Sequence, residues 1–88
     1  MATKPWKDAE VSRHNPVPTS AEIKTDTFTL IVTENIYLPK GEYKVFTRGA
    51  FQFETVVQAT NLDDAKTAAE KAFEAFLQTI LQAWGPIV

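Results

Sequence analysis

Few side chains in this 88-residue chain are of the types that do chemistry, and their positions argue against their doing it. His14 is the sole histidine, and it lies in a proline-rich stretch that offers a general base or metal ligand no fixed frame. Ser12 and Ser20 share that stretch, with no base held beside them to activate a hydroxyl. There is no cysteine, which removes thiolate chemistry, disulfides and cysteine-ligated metals together. Asp63 and Asp64 suggest a cation, yet paired acids are what the first turn of a helix favours. No phosphate-binding glycine loop, dinucleotide fingerprint or metal-ligand spacing occurs. The expectation is a non-enzyme, with no catalytic, cofactor-binding or metal residues.

A binding surface is better supplied. Tyr37, Lys44, Phe46 and Arg48 mix aromatic rings with cations, the combination that single-stranded nucleic acid needs for stacking and phosphate contact. The same residues would equally serve as a face covered by the N-terminal arm or a second subunit, with the cations keeping a sheet edge soluble. Nine basic and eleven acidic residues leave a net charge of −2, so bulk electrostatics does not draw the chain to nucleic acid.

The elements that position these residues are read from periodicity. From Thr25 to Gln58 the pattern has period two, the signature of half-buried strands. Phe28, Leu30, Val32, Ile36 and Leu38 share one side before a Pro39-Lys40-Gly41-Glu42 turn, and Tyr43, Val45, Phe51, Phe53 and Val57 share one after it. A four-residue loop pairs Leu38 with Tyr43, Val32 with Gly49 and Phe28 with Phe53, which puts every apolar residue on one face. A three-residue loop would split the core, because a one-residue slip moves every side chain to the other face. On that register Tyr37 faces Lys44, and Thr33 faces Arg48. Two architectures satisfy the parity. One is a long two-stranded ribbon over about 25–38 and 43–58, bent at Gly49 and in need of a second subunit to complete its sheet. The other is a three-stranded meander broken at 47–49, pairing Val45 with Phe51. The end-to-end consistency of the pairing favours the ribbon.

A helix over about 61–84 follows, capped by Thr60 or Asn61 and stopped by Gly85-Pro86. Leu62, Ala65, Ala69, Ala72, Phe73, Phe76, Leu77, Ile80, Ala83 and Trp84 form its apolar stripe, with Asp63, Thr67, Glu70, Lys71, Glu74 and Gln78 opposite. Alanines fill the first half and large residues the second, which predicts deeper burial of Phe73, Phe76, Ile80 and Trp84 at the end. Residues 1–21, with Pro5, Pro16 and Pro18, read as a flexible or loosely docked arm, leaving 22–88 as a single domain.

The fold class expected is therefore α+β: an antiparallel hairpin or three-stranded meander, one long C-terminal amphipathic helix on one sheet face, and a flexible N-terminal arm. A domain this small buries only roughly 60–65% of its unfolded surface, and without cysteine that leaves good packing or oligomerisation as the stabilising device. Trp6, Ala68, Ala75 and Leu81 are the candidate dimer or arm contacts, lying outside the main stripe or in the arm. No run approaches the roughly 20 apolar residues of a membrane span, and the start lacks the apolar core of a signal peptide, so the expected location is the cytoplasm. The functional expectation is a non-catalytic protein-binding module, an adaptor or inhibitor, acting as a homodimer. Its size and plainness fit an accessory protein of a phage or other mobile element. The alternative is a nucleic-acid-binding module using the outer face of the hairpin.

Overall fold

Three turns decide this architecture, and the first of them is announced by neither glycine nor proline. The structure, a computed structural model, describes residues 4–11, 18–35, 37–50 and 52–84. Its elements are β1 (Lys7–Asp8), β2 (Ser20–Lys24), β3 (Phe28–Glu34), β4 (Glu42–Gly49), β5 (Glu54–Gln58) and α1 (Leu62–Trp84). The strands form one antiparallel sheet in the order β1-β2-β3-β4-β5, so each lies beside its neighbour in sequence.

The first turn joins β2 to β3 without any glycine. The Thr25 N–H and hydroxyl both donate to the Phe28 carbonyl at 2.8 Å, and the Thr25 oxygen accepts from the Phe28 N–H at 3.0 Å. A threonine hydroxyl replacing backbone partners in this way is enough to reverse the chain. The single alternating run expected from Thr25 onward therefore begins as a turn. Ser20 and Ala21, read as part of the arm, belong to a strand that the sequence reading lacked.

The second turn corrects the register. Pro39 to Glu42 does form a turn, with the Glu42 N–H donating to the Pro39 carbonyl at 3.1 Å and Gly41 at φ 91°. A further turn precedes it: the Leu38 N–H donates to the Asn35 carbonyl at 2.9 Å, and the Asn35 side chain accepts from the Tyr37 N–H at 2.9 Å. This asparagine-seeded turn consumes residues that the ribbon reading placed in a strand. Val32 consequently pairs with Val45 rather than Gly49, and Phe28 pairs with Gly49 rather than Phe53. The slip from 49 to 45 is even, so every side chain keeps its face.

The third turn ends β4. Gly49 has φ 107°, and a Cβ there would meet the Thr27 carbonyl oxygen at 2.6 Å and the Phe28 Cα at 3.0 Å. Only glycine fits that approach. Gly49 thus ends a strand rather than bending one, and the chain returns to pair Val45 with Thr55 and Tyr43 with Val57. The meander's expected Val45–Phe51 pairing is replaced, again by an even slip. Among the described residues five strands stand where two or three were expected, and all five come from one chain.

The helix matches its expected span, and Asn61 is its cap: Oδ1 accepts the Asp64 N–H at 2.8 Å. It crosses the face made by Ala21, Leu30, Val32, Tyr43 and Val45, and contributes Ala65, Ala69 and Phe73 to the core. Phe73 sits 5.2 Å from Phe28 and 5.6 Å from Phe53 between ring centroids, and Phe76 sits 4.8 Å from Phe53. Beyond Leu77 the helix outruns the sheet. Ile80 is exposed, contrary to the deeper burial expected at that end. Among the expected core and stop residues, Ile36, Phe51, the Trp84 side chain and Gly85 to Val88 lie outside the described residues. So do Ser12, His14 and the stretch Asn15 to Val17.

Candidate functional site

Strand alternation places Lys44, Phe46 and Arg48 on the sheet face away from α1. They converge there: the Lys44 Nζ lies 5.4 Å and the Arg48 Cζ 5.6 Å from the centre of the Phe46 ring. Such contacts are worth about 0.5–1 kcal/mol each at exposed sites. The Lys44 Nζ also lies 2.7 Å from Glu54 Oε1, on the strand alongside. Both cations are thus drawn to a ring, and one of them to a carboxylate. Tyr37 does not join them. It lies in the double turn between β3 and β4, 88% exposed, and its expected place opposite Lys44 is taken by Thr33. Ile31 stands opposite Phe46 and Val56 opposite Lys44, giving this face an apolar centre that strand parity predicts once the register is right.

The helix face carries a second surface. A groove between β2, β3 and α1 is lined by Pro5, Ile23, Phe28, Leu30, Phe73 and Leu77, with Lys4, Lys24, Glu70 and Glu74 on its walls. Leu81 lies one turn beyond Leu77 on α1 and is 64% exposed, so the apolar lining runs out of the groove onto the free end of the helix.

The four candidate contact residues divide between two flanks of α1. Trp6 is half-buried, and its Nε1 donates to Glu70 Oε2 at 2.6 Å, while the Lys4 backbone N–H donates to the same oxygen at 3.2 Å. The Lys66 Nζ reaches Asp8 Oδ1 at 2.6 Å. The N-terminal segment is therefore fastened along one flank of the helix, and Trp6 is an anchor within its own chain. Glu70, expected on the polar side, is only 7% exposed because this segment covers it. A buried carboxylate needs donors, and the Trp6 indole supplies one from 64 positions away in sequence; the one hint was an aromatic residue in a stretch otherwise read as a loose arm. Leu81 lies on the Glu70 side of the helix at one hundred degrees per residue, whereas half-buried Ala68 and exposed Ala75 lie on the opposite flank, toward β5.

Among the described residues no three histidine, aspartate or glutamate side chains gather closely enough to hold a metal ion, and no helix is long and apolar enough to cross a membrane. Comparison with known proteins gives no match: no protein-family model, no curated protein and no solved structure matches the chain.

Proposed function

We propose that this chain is a non-catalytic protein-binding module, an adaptor or inhibitor that acts as a homodimer in the cytoplasm. One observation carries the reading: the apolar groove of Ile23, Phe28, Phe73 and Leu77 continues onto exposed Leu81 with no part of the described chain to cover it. Side chains of that kind gain about 1.5–3 kcal/mol on full burial. Walls bearing Lys4, Lys24 and Glu74 suit an amphipathic segment of a partner protein with charges of both signs beside its apolar anchors. The cysteine-free sequence fits a reducing compartment, and the size fits an accessory protein of a phage or other mobile element.

The test is capture from the native host with wild-type chain and Leu81→Ser side by side. A protein retained by the wild type and lost from the variant, at unchanged thermal stability, supports the reading. Retention equal in both, or absent from both, refutes this surface.

A second reading, binding of single-stranded nucleic acid, is favoured by the meeting of Lys44, Phe46 and Arg48 on an uncovered face. It requires an affinity that falls steeply with salt and weakens in Lys44→Ala/Arg48→Ala. No retardation of DNA or RNA at low salt removes it.

A further inference from the structure

The two edges of the sheet differ in kind. β1 at one edge has two residues, one of them a lysine, which is how soluble proteins blunt an edge against pairing. β5 at the other edge is Glu54-Thr55-Val56-Val57-Gln58, with no proline, lysine or glycine, and among the described residues no strand pairs with its outer side. Its one charge, Glu54, is already held by Lys44 at 2.7 Å.

The hydrogen-bond pattern fixes which groups that edge offers. The Thr47 N–H donates to the Phe53 carbonyl and the Ala59 N–H to the Gly41 carbonyl. In an antiparallel ladder bonded residues alternate, so Phe53, Thr55, Val57 and Ala59 turn their backbone groups toward β4. Glu54, Val56 and Gln58 turn theirs outward.

We propose that β5 pairs antiparallel with β5 of a second copy across a two-fold axis at Val56, making one continuous sheet with five strands from each copy. This deepens the homodimer reading above and rests on it. The strand is self-complementary about Val56. The axis sets Val56 against Val56 of the second copy and Glu54 against Gln58 of the second copy, so the outward residues meet and exchange two hydrogen bonds per pair. No two like charges are opposed. The two outward-tilted valines, each 46% exposed, close against one another.

A second feature fits the same axis. The helix flank toward β5 carries Ala68, Ala72, Ala75 and Thr79, at spacings of three and four residues. Lys66 and Glu70 define the opposite flank by reaching Asp8 and Trp6. A two-fold perpendicular to the sheet keeps both helices on one face and turns these small-residue flanks toward each other. Specific interfaces bury more than about 1,000 Å² in total, and the helix flanks add to what one strand pair supplies.

The absence of cysteine makes the test clean. Residues opposed in a bonded antiparallel pair have Cα atoms about 5.5 Å apart, within the roughly 4.4–6.8 Å that a disulfide spans. Val56→Cys is oxidised mildly at micromolar concentration, with Glu22→Cys, exposed on inner strand β2, as the collision control. Light scattering on the wild type and Val56→Lys runs in parallel, with circular dichroism confirming that the lysine variant is folded. The expected result is a covalent dimer for Val56→Cys at least tenfold faster than for Glu22→Cys, twice the 9.8 kDa chain mass for the wild type, and monomer mass for Val56→Lys. Equal cross-linking rates with a wild-type dimer that persists in Val56→Lys overturn the edge pairing and leave the homodimer standing on another surface. A monomeric wild type overturns both.

Discussion

The two halves of α1 invert the usual relation between side-chain size and burial. In the first half Ala65 and Ala69 are fully buried and Phe73 is 6% exposed, whereas in the second half Ile80 is 39% and Leu81 64% exposed. The alanines let the helix backbone approach Val32 and Val45, both fully buried, so small residues sit where the contact is closest. The large residues Ile80 and Leu81 beyond have no described strand over them and stay exposed. Length explains it. Twenty-three helical residues extend about 35 Å, against about 27 Å for the eight residues of β4 and about 17 Å for the five of β5. Burial follows the extent of the opposing layer, and among the described residues the apolar stripe that continues past it stays exposed at Ile80 and Leu81.

The sharpest way to break this comparison is to truncate one large residue in each half. Phe73→Ala removes the ring that joins Phe28 to Phe53 and should cost about 3–5 kcal/mol. Ile80→Ala should cost under about 1 kcal/mol, since much of its surface is already in water. Urea unfolding of both variants at low concentration measures the difference. Equal costs would mean that the second half is covered in solution.

The first half has its own fastening, and Glu70→Ala tests it at the next level of effect. Removing the carboxylate strips the Trp6 indole N–H and the Lys4 N–H of an acceptor, with an expected loss of about 1–3 kcal/mol. Glu70→Gln retains an acceptor and should lose less. Trp6 fluorescence, isolated in a Trp84→Phe background, should shift to the red in the alanine variant as the indole moves into water. An unchanged spectrum would show that the N-terminal segment is held to α1 by other contacts.

How much of this was legible in the sequence differs by level. Which face each strand residue would take was legible, because parity survives an even slip: Leu30, Val32, Tyr43 and Val45 are all in the core despite two wrong registers. The span of α1 was legible from its period and from Asn61 and the acids that follow it. The turns at Thr25 and Asn35 were not, since each is made by one side-chain oxygen and neither contains glycine or proline. Missing them stretched one expected strand to 25–38, and reading Gly49 as a bend rather than an end stretched the other to 43–58. Those errors hid the overhang. For the candidate site, convergence of Lys44, Phe46 and Arg48 followed from parity alone, while Tyr37 depended on register and was misplaced. The partnership of Trp6 with Glu70 joins residues far apart in sequence, and no local pattern encodes it.

The covered half of the sheet can also be probed by proton, with the smallest expected effect. Tyr43 lies on the helix face beside Val57, opposite Glu34, and is 7% exposed. Burial pushes its phenol above the ordinary value of about 10, and the Glu34 carboxylate raises it further, because both disfavour the phenolate. The folded state therefore holds its proton to higher pH than the unfolded chain. Stability from this group is fully present below about pH 10, where both states are protonated. It falls as pH rises from there toward the folded value, since the unfolded state alone gains by ionising. Absorbance titration of Tyr43 in a Tyr37→Phe background should show the raised value, and Glu34→Gln should bring it partway back by removing the smaller contribution. If Glu34→Gln leaves the titration unmoved, burial alone accounts for the shift. If Tyr43 titrates near 10 in both, water reaches the sheet beneath the first half of α1, and the contrast between the two halves of the helix is weaker than the structure shows.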